Sequence, residues 1–439
     1  MVLPPGHRGN FPRVNPTKFR TACYVIEGIN SFAVVIYFNY LYFFFRDKFG
    51  FNDRQNLELA AFIGIIYVFA ALWAGKFARR CGYFTALKIG FGIMASGLAA
   101  GLFFNSVAAQ IAVACLVNFG MCFTWPVLEA LVSEGADAAR AVGIYNITWA
   151  TTNAVAFFLG GLLIEKLGYQ SIFYVPLAFM VLQFAMVFWL EKIQPRPGIG
   201  EKTLTQASGP LAPRGTSGER AGERGGSKNK LPPLPGPLLP PASGREGEKG
   251  FRHAQAKSFQ RMAWLANPFA YIAINTLLAV LPGIAHKFEL SPMFAGFACS
   301  LWCFARVFAF VALWQWSGWH YQFRWLVTAF ILMVISFAMI LVVPNLAVVL
   351  VAQIFFGAAV GLMYYSSLFY AMDAHDSSSE HGGIHEAAIG IGNCLGPAAG
   401  AAALWLAPQN PGAGAWAVTG LLTLGLGGLV WLRTRKNSV

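Results

Sequence analysis

Residues 192–261 read KIQPRPGIGEKTLTQASGPLAPRGTSGERAGERGGSKNKLPPLPGPLLPPASGREGEKGFRHAQAKSFQR. Ten of them, from Pro195 to Pro241, are prolines, set among Gly, Ser, Lys and Arg. Such a composition cannot bury enough apolar surface to offset the entropy of ordering its backbone, so the stretch reads as a disordered linker. On both sides the sequence is almost continuously apolar. The linker, taken as 192–262, therefore separates two hydrophobic halves of similar length, 1–191 and 263–439.

Working outward, the apolar flanks resolve into runs long enough to cross a bilayer, which takes roughly 20 residues as a helix. Six precede the linker, at 21–45, 57–78, 84–104, 107–132, 141–164 and 171–190. Six follow it, at 263–286, 293–316, 323–343, 347–372, 384–407 and 413–432. Only 12% of the residues are charged, where soluble domains carry about 25%. The expected fold is an all-α membrane protein, with twelve transmembrane helices in two pseudo-symmetric six-helix bundles.

The net charge of +13 is not a nucleic-acid signature, because the basic residues sit in loops and tails. With the N-terminus inside, thirteen Lys and Arg fall on the cytoplasmic side before the linker is counted, against five on the other side. Both termini and the linker are thus expected in the cytoplasm, in a multi-pass protein of the cell (cytoplasmic or inner) membrane. The first apolar run is too long for a cleavable signal peptide. The seven cysteines lie mostly inside apolar runs and form no CxxC pair, so neither disulfides nor zinc ribbons are expected.

The halves carry a weak internal repeat. A shift of 240 residues lays the fifth run on the eleventh, with Gly143 on Gly383, Asn153 on Asn393 and Gly160 on Gly400. The second and eighth runs share an Ala-Leu-Trp ending, at 71–73 and 312–314. Repeated halves place a binding site at their interface, near the middle of the bilayer.

The six-plus-six layout, the central loop and the segment Gly75-Lys-Phe-Ala-Arg79-Arg80-Cys81-Gly82-Tyr83 together resemble the major facilitator superfamily of transporters. In that segment Gly75, Arg80 and Gly82 match the family's signature. Arg79 stands where the family has its Asp, and Tyr83 where a basic residue is usual. The glycines Gly392, Gly396 and Gly400 with Pro397 resemble the family's pattern in the eleventh span. The resemblance implies alternating access by two rocking bundles, with spans 1, 4, 7 and 10 lining the cavity.

Ionisable groups inside a membrane are costly, which makes each a functional candidate. Glu27 shares a helix face with Asn30 and Ser31; a desolvated carboxyl group there can bind and release a proton, the role a proton-coupled carrier needs. Arg306, deep in the eighth run, is expected to meet Glu27 or an anionic group of the solute. Asn118, Cys122, Trp125 and Glu129 form one stripe of the fourth run. Trp125-Pro126 can open that helix and free a carbonyl. The substrate-binding candidates are Asn30, Asn118, Trp125, Asn153, Asn275, Arg306, Tyr364 and Asn393. Glu129 is expected to pair with Arg79, Arg80 or Arg140 in a gate that also includes Gly75, Gly82 and Glu386. Gly160 and Gly400 read equally as close-packing positions between helices.

His381 and His385 are four apart but separated by a Gly-Gly pair, with no HExxH pattern, so 373–386 reads as a solvated loop and no metal is expected. No Walker A loop or G-x-S-x-G elbow occurs, and no cofactor is expected. The reading is a monomeric secondary active transporter, not an enzyme. It moves a small solute by alternating access, coupled to a proton, with sodium as the other candidate ion. The alternatives are a membrane-embedded transferase using 373–386, and a transporter-like sensor that binds solute without moving it.

Overall fold

The structure is a computed structural model. It describes residues 16–133, 138–194, 246–373 and 379–435, with side chains described except at 16, 138–139, 246–254, 372–373 and 379–387. Among the described residues there are thirteen helices and no strand. They are Pro16–Phe49 (α1), Asp53–Cys81 (α2), Tyr83–Phe103 (α3), Val107–Met121 (α4), Trp125–Ser133 (α5), Ala138–Leu167 (α6), Ser171–Lys192 (α7), Glu246–Lys287 (α8), Pro292–Gln315 (α9), Phe323–Val342 (α10), Leu346–Asp373 (α11), Ser379–Leu406 (α12) and Ala413–Thr434 (α13). With α4 and α5 joined as one span, the described residues form twelve helical units long and apolar enough to cross a membrane.

The α4–α5 break has a covalent cause. Pro126 has no N–H, so nothing on it can bond back to the Cys122 carbonyl. The chain instead turns tightly, with Phe123 N–H donating to Gly120 O (3.1 Å) and Thr124 N–H to Met121 O (3.0 Å), before α5 resumes. The sequence expectation of an opening at Trp125-Pro126 is met, two residues upstream of the proline.

Two boundaries need correction. The seventh span does not start at 263, because α8 is helical from Glu246 and so takes in the last residues assigned to the linker. Apolar burial explains the extension: Ala256, Phe259 and Met262 are all buried. Phe259 packs its ring against Tyr321 and Tyr370. Residues 195–245 of the expected linker lie outside the described residues. The expected loop 373–386 is also shorter than read, because α12 is helical from Ser379 and runs through the Gly-Gly pair. Glycine inside a helix costs only about 0.8–1 kcal/mol against alanine, too little to stop a long helix.

Two seams join the halves. On one, α6 packs against α9; on the other, α2 packs against α12. The 240-residue repeat carries α6 onto α12, and the shared Ala-Leu-Trp ending pairs α2 with α9. Each seam is therefore the pseudo-symmetric copy of the other.

The end opposite the linker, where α1, α6 and α8 finish, is drawn together across both seams. There a Cβ on Gly161 would run into the Pro292 carbonyl and stand 3.0 Å from the Gly296 Cα. Met293 N–H at the start of α9 donates to Glu165 Oε2 of α6 (3.1 Å). Asp53, ion-paired with Arg46 at 2.7 Å, covers Gly283 of α8.

Candidate functional site

A cavity of about 200 Å³ lies between the halves. Both halves line it, through α1, α2, α4, α5 and α6 on one side and α8, α9, α11 and α12 on the other. Its charged lining residues, among those described, are Glu27, Glu129 and Arg306.

Glu27 sits about 16 Å along α1 from Pro16, at 1.5 Å per residue. It is fully buried. Ser31 Oγ, one turn on, donates to Glu27 Oε1 at 2.6 Å. Among the described residues Oε2 accepts no hydrogen bond of normal geometry. Tyr145 and Glu129 line the same cavity. Tyr145 donates to the Trp125 carbonyl (3.2 Å), which ties α6 to the start of α5.

Arg306 is 6% exposed. Its guanidinium carbon lies 4.7 Å from the Trp149 ring centre on α6 and 5.0 Å from that of Trp302 on α9. Among the described residues the guanidinium has no ion pair, and Nε has no acceptor. An Arg at the middle of a span costs about 2.5–3.5 kcal/mol to insert. A desolvated cation–π contact returns about 2 kcal/mol, and there are two. The two indoles therefore suffice to hold the cation in place while leaving its hydrogen-bonding edge unspent.

The expected Glu27–Arg306 ion pair is not formed. Ser31 is the carboxylate's hydrogen-bonding partner, and the indoles of Trp149 and Trp302 flank the guanidinium. A hydroxyl one turn away on α1 and two ring faces, one on α9 and one across the seam on α6, take the places the opposite charge was expected to fill.

The amides are mostly occupied. Asn118 Nδ2 donates to the Ile63 carbonyl (3.1 Å) and binds α4 to α2. Asn275 Nδ2 donates to Asn393 Oδ1 at 2.6 Å, linking α8 to α12. The Asn153 amide nitrogen, oriented by its surroundings, donates to the carbonyls of Trp149 and Ser31, each at 3.2 Å. Tyr364 stacks against Phe310, meets Trp149 edge-on and donates to Asn146 Oδ1 at 3.5 Å, across the halves.

Eight of the expected proton-coupling and substrate-binding residues line this cavity: Glu27, Asn118, Trp125, Asn153, Asn275, Arg306, Tyr364 and Asn393. Asn30 is not in the lining; it donates to Thr124 Oγ1 (3.2 Å) and braces the α4–α5 break. Glu129, expected at a gate, also lines the cavity. Arg79, Arg80 and Arg140 are exposed at the linker end. Gly82 turns the chain between α2 and α3 with φ +92°, a conformation that suits glycine. The side chain of Glu386 lies outside the described residues, as do residues 374–378. Gly160 lies under the Tyr40 ring and Gly400 against Leu57, so both serve packing.

The sequence reading missed Phe38, Asn39 and Tyr42 of α1, Tyr271 of α8, and the placing of Trp149 and Trp302 around Arg306. The α1 residues were within reach, since 38, 39 and 42 continue the stripe of 27, 31 and 34. Trp302, one turn before Arg306 on the same helix, was within reach too; Trp149 was not, because it comes from a helix in the other half.

Comparison with known proteins agrees with this architecture. The chain matches the model of the Major Facilitator Superfamily over residues 21–401. No curated protein sequence matches it. Among solved structures it is similar to the human organic anion transporter MFSD10 (TETRAN), at 14% identity and a TM-score of 0.61, covering 94% of this chain and 99% of that one. It is also similar to a point mutant of the nucleoside transporter NupG, at 13% identity and a TM-score of 0.61, covering 94% of this chain and 98% of the other. The twelve spans, the paired seams and a family match that runs through both halves make this chain a member of the Major Facilitator Superfamily.

Proposed function

We propose that this membrane solute transporter works by alternating access and couples solute movement to a proton bound at Glu27. One observation carries the reading. A single cavity between the halves holds a carboxyl group from one half and a guanidinium from the other, and the two are not neutralised by pairing with each other. Unspent charges facing a shared cavity are what a carrier needs to take up and release cargo. The seams let the halves rock as bodies, with the end opposite the linker closed in the state described here. By the basic-residue count, that closed end faces outward and both termini face the cytoplasm of a cell membrane. The protein acts as a monomer.

The test is uptake by proteoliposomes of purified full-length protein, offered a panel of radiolabelled sugars, nucleosides, amino acids and carboxylates. One class should accumulate when the outside is acid, and a protonophore should abolish the accumulation. Glu27→Gln should still equilibrate that solute but no longer concentrate it. Retention of pH-driven accumulation by Glu27→Gln would sink the proton role, and movement of no solute at all would sink transport.

A further inference from the structure

The polar groups of the cavity differ in whether they are already used. The amides of Asn118, Asn153 and Asn275 each donate to a protein oxygen. Arg306 Nε, Trp302 Nε1 and Trp125 Nε1 belong to the lining and have no acceptor among the described residues. Arg306 and Trp302 are four residues apart on α9, hence on one helix face. A cation with no ion pair and an unspent donor of its own selects an acceptor-rich, negatively charged group.

From this we infer that the solute is a small organic monoanion, its carboxylate docked on Arg306 and its apolar body against Trp149, Trp302 and Tyr364. The inference rests on the transport reading of the cavity and names its cargo class. A guanidinium matches a carboxylate in shape as well as charge, because both are planar and can share two parallel hydrogen bonds. The charge count sets the valence. One Arg lines the cavity together with two Glu residues, so a dianion would meet one cation and two carboxyl groups. The walls set the body: besides the two indoles, the lining carries Phe38, Tyr67, Tyr271 and Tyr364. The volume sets the size. About 200 Å³ falls below the roughly 300–1,000 Å³ of pockets for drug-sized ligands.

The docking site also spans both halves. Trp302 and Arg306 belong to α9 and Trp149 to α6, so a carboxylate on Arg306 lies at the α6–α9 seam. Binding there bears directly on the surface along which the halves must move.

The experiment is a thermal-shift and equilibrium-binding series on purified full-length protein, with three probes of nearly the same shape: benzoate, the neutral benzamide and the dianion phthalate. Propionate and phenylpropionate bracket the size. Benzoate should raise the melting temperature saturably, while benzamide and phthalate should not. Arg306→Gln should weaken benzoate binding about 10- to 100-fold, the range for a hydrogen bond to a charged group, and Arg306→Lys should weaken it less. Benzamide binding as well as benzoate, undiminished benzoate binding in Arg306→Gln, or no binding by any of the three monocarboxylates overturns the proposal. Should Arg306→Gln fail to fold, the comparison of benzoate with benzamide on the wild type decides alone. Proteoliposome uptake separates the two readings. A monocarboxylate that binds at Arg306 but is never moved keeps this site and refutes transport. Arg306-independent uptake of a neutral solute keeps transport and refutes this site.

Discussion

The two ends of the molecule bring the halves together differently. Opposite the linker they meet with no room to spare: a side chain on Gly161 would strike the Pro292 backbone carbonyl, and one on Gly283 would strike the Asp53 carboxylate. At the linker end of the same α6–α9 seam, a Cβ on Gly143 would find only Trp314 Nε1, at an ordinary 3.8 Å. A seam that is tight at one end and loose at the other is a wedge. The glycines at the tight end let it close, and polar contacts that cross the gap hold it. Closure at that end should therefore depend on space first and on charge second, while the loose end should tolerate added bulk.

The largest effect should come from filling the space. Gly161→Val puts a branched side chain where the Pro292 carbonyl and the Gly296 Cα already sit. Overpacking of this kind costs about 1–3 kcal/mol, which is about a 5- to 150-fold shift between closed and open. The readout is labelling of Asn39→Cys, in the cavity lining, by an impermeant maleimide added from the closed side, with peptide mass spectrometry to separate it from the seven native cysteines. Labelling should rise steeply and transport should fall. Unchanged labelling would mean that the Gly161–Gly296 crossing is not part of the closure.

Charge at the tight end comes next. Glu165 receives the Met293 N–H at the start of α9, where the helix dipole favours an anion. The carboxylate of one half thus caps a helix of the other. Glu165→Gln keeps an acceptor oxygen and removes the charge. The expected loss is about 0.3–1 kcal/mol, read as a two- to fivefold rise in the same labelling, and it should shrink in high salt. An equal rise at all salt concentrations would show that the capping charge is not what matters. Arg46→Gln removes the partner of Asp53 in a partly exposed pair, worth about 0.2–1 kcal/mol. Its effect should not exceed that of Glu165→Gln.

The legibility of these features in the sequence follows their physics. Spans and linker are matters of composition, and hydrophobic runs broken by one Pro-rich stretch made them plain. The halves were legible through the 240-residue shift, because the repeat keeps Asn153 and Asn393 in equivalent places and both line the cavity. The charges themselves stood out, since a Glu or Arg inside an apolar run is conspicuous. Their partners did not. Pairing Glu27 with Arg306 relied on opposite sign, but a hydroxyl one turn away holds the carboxylate and two indole faces hold the guanidinium. Asn30 shares Glu27's face and was read as a contact for solute. The α4–α5 break, a consequence of Pro126, places Thr124 in front of it. Glycine was the hardest to read, because Gly161 and Gly143 lie on one helix and only the tertiary seam makes one critical and the other spare.

That last contrast yields the smallest expected effect and the sharpest control. Gly143→Ala adds a methyl group at the loose end of the seam whose tight end Gly161 occupies, on the same helix α6. Space is available, so no overpacking cost arises. Glycine inside a helix is less favourable than alanine by about 0.8–1 kcal/mol, through the backbone freedom it loses on folding. The substitution should therefore leave Asn39→Cys labelling unchanged and raise the thermal stability slightly, the opposite sign to Gly161→Val. If Gly143→Ala instead opened the cavity to the maleimide as Gly161→Val does, the seam would be equally tight along its length, and the wedge that separates the two ends would not exist.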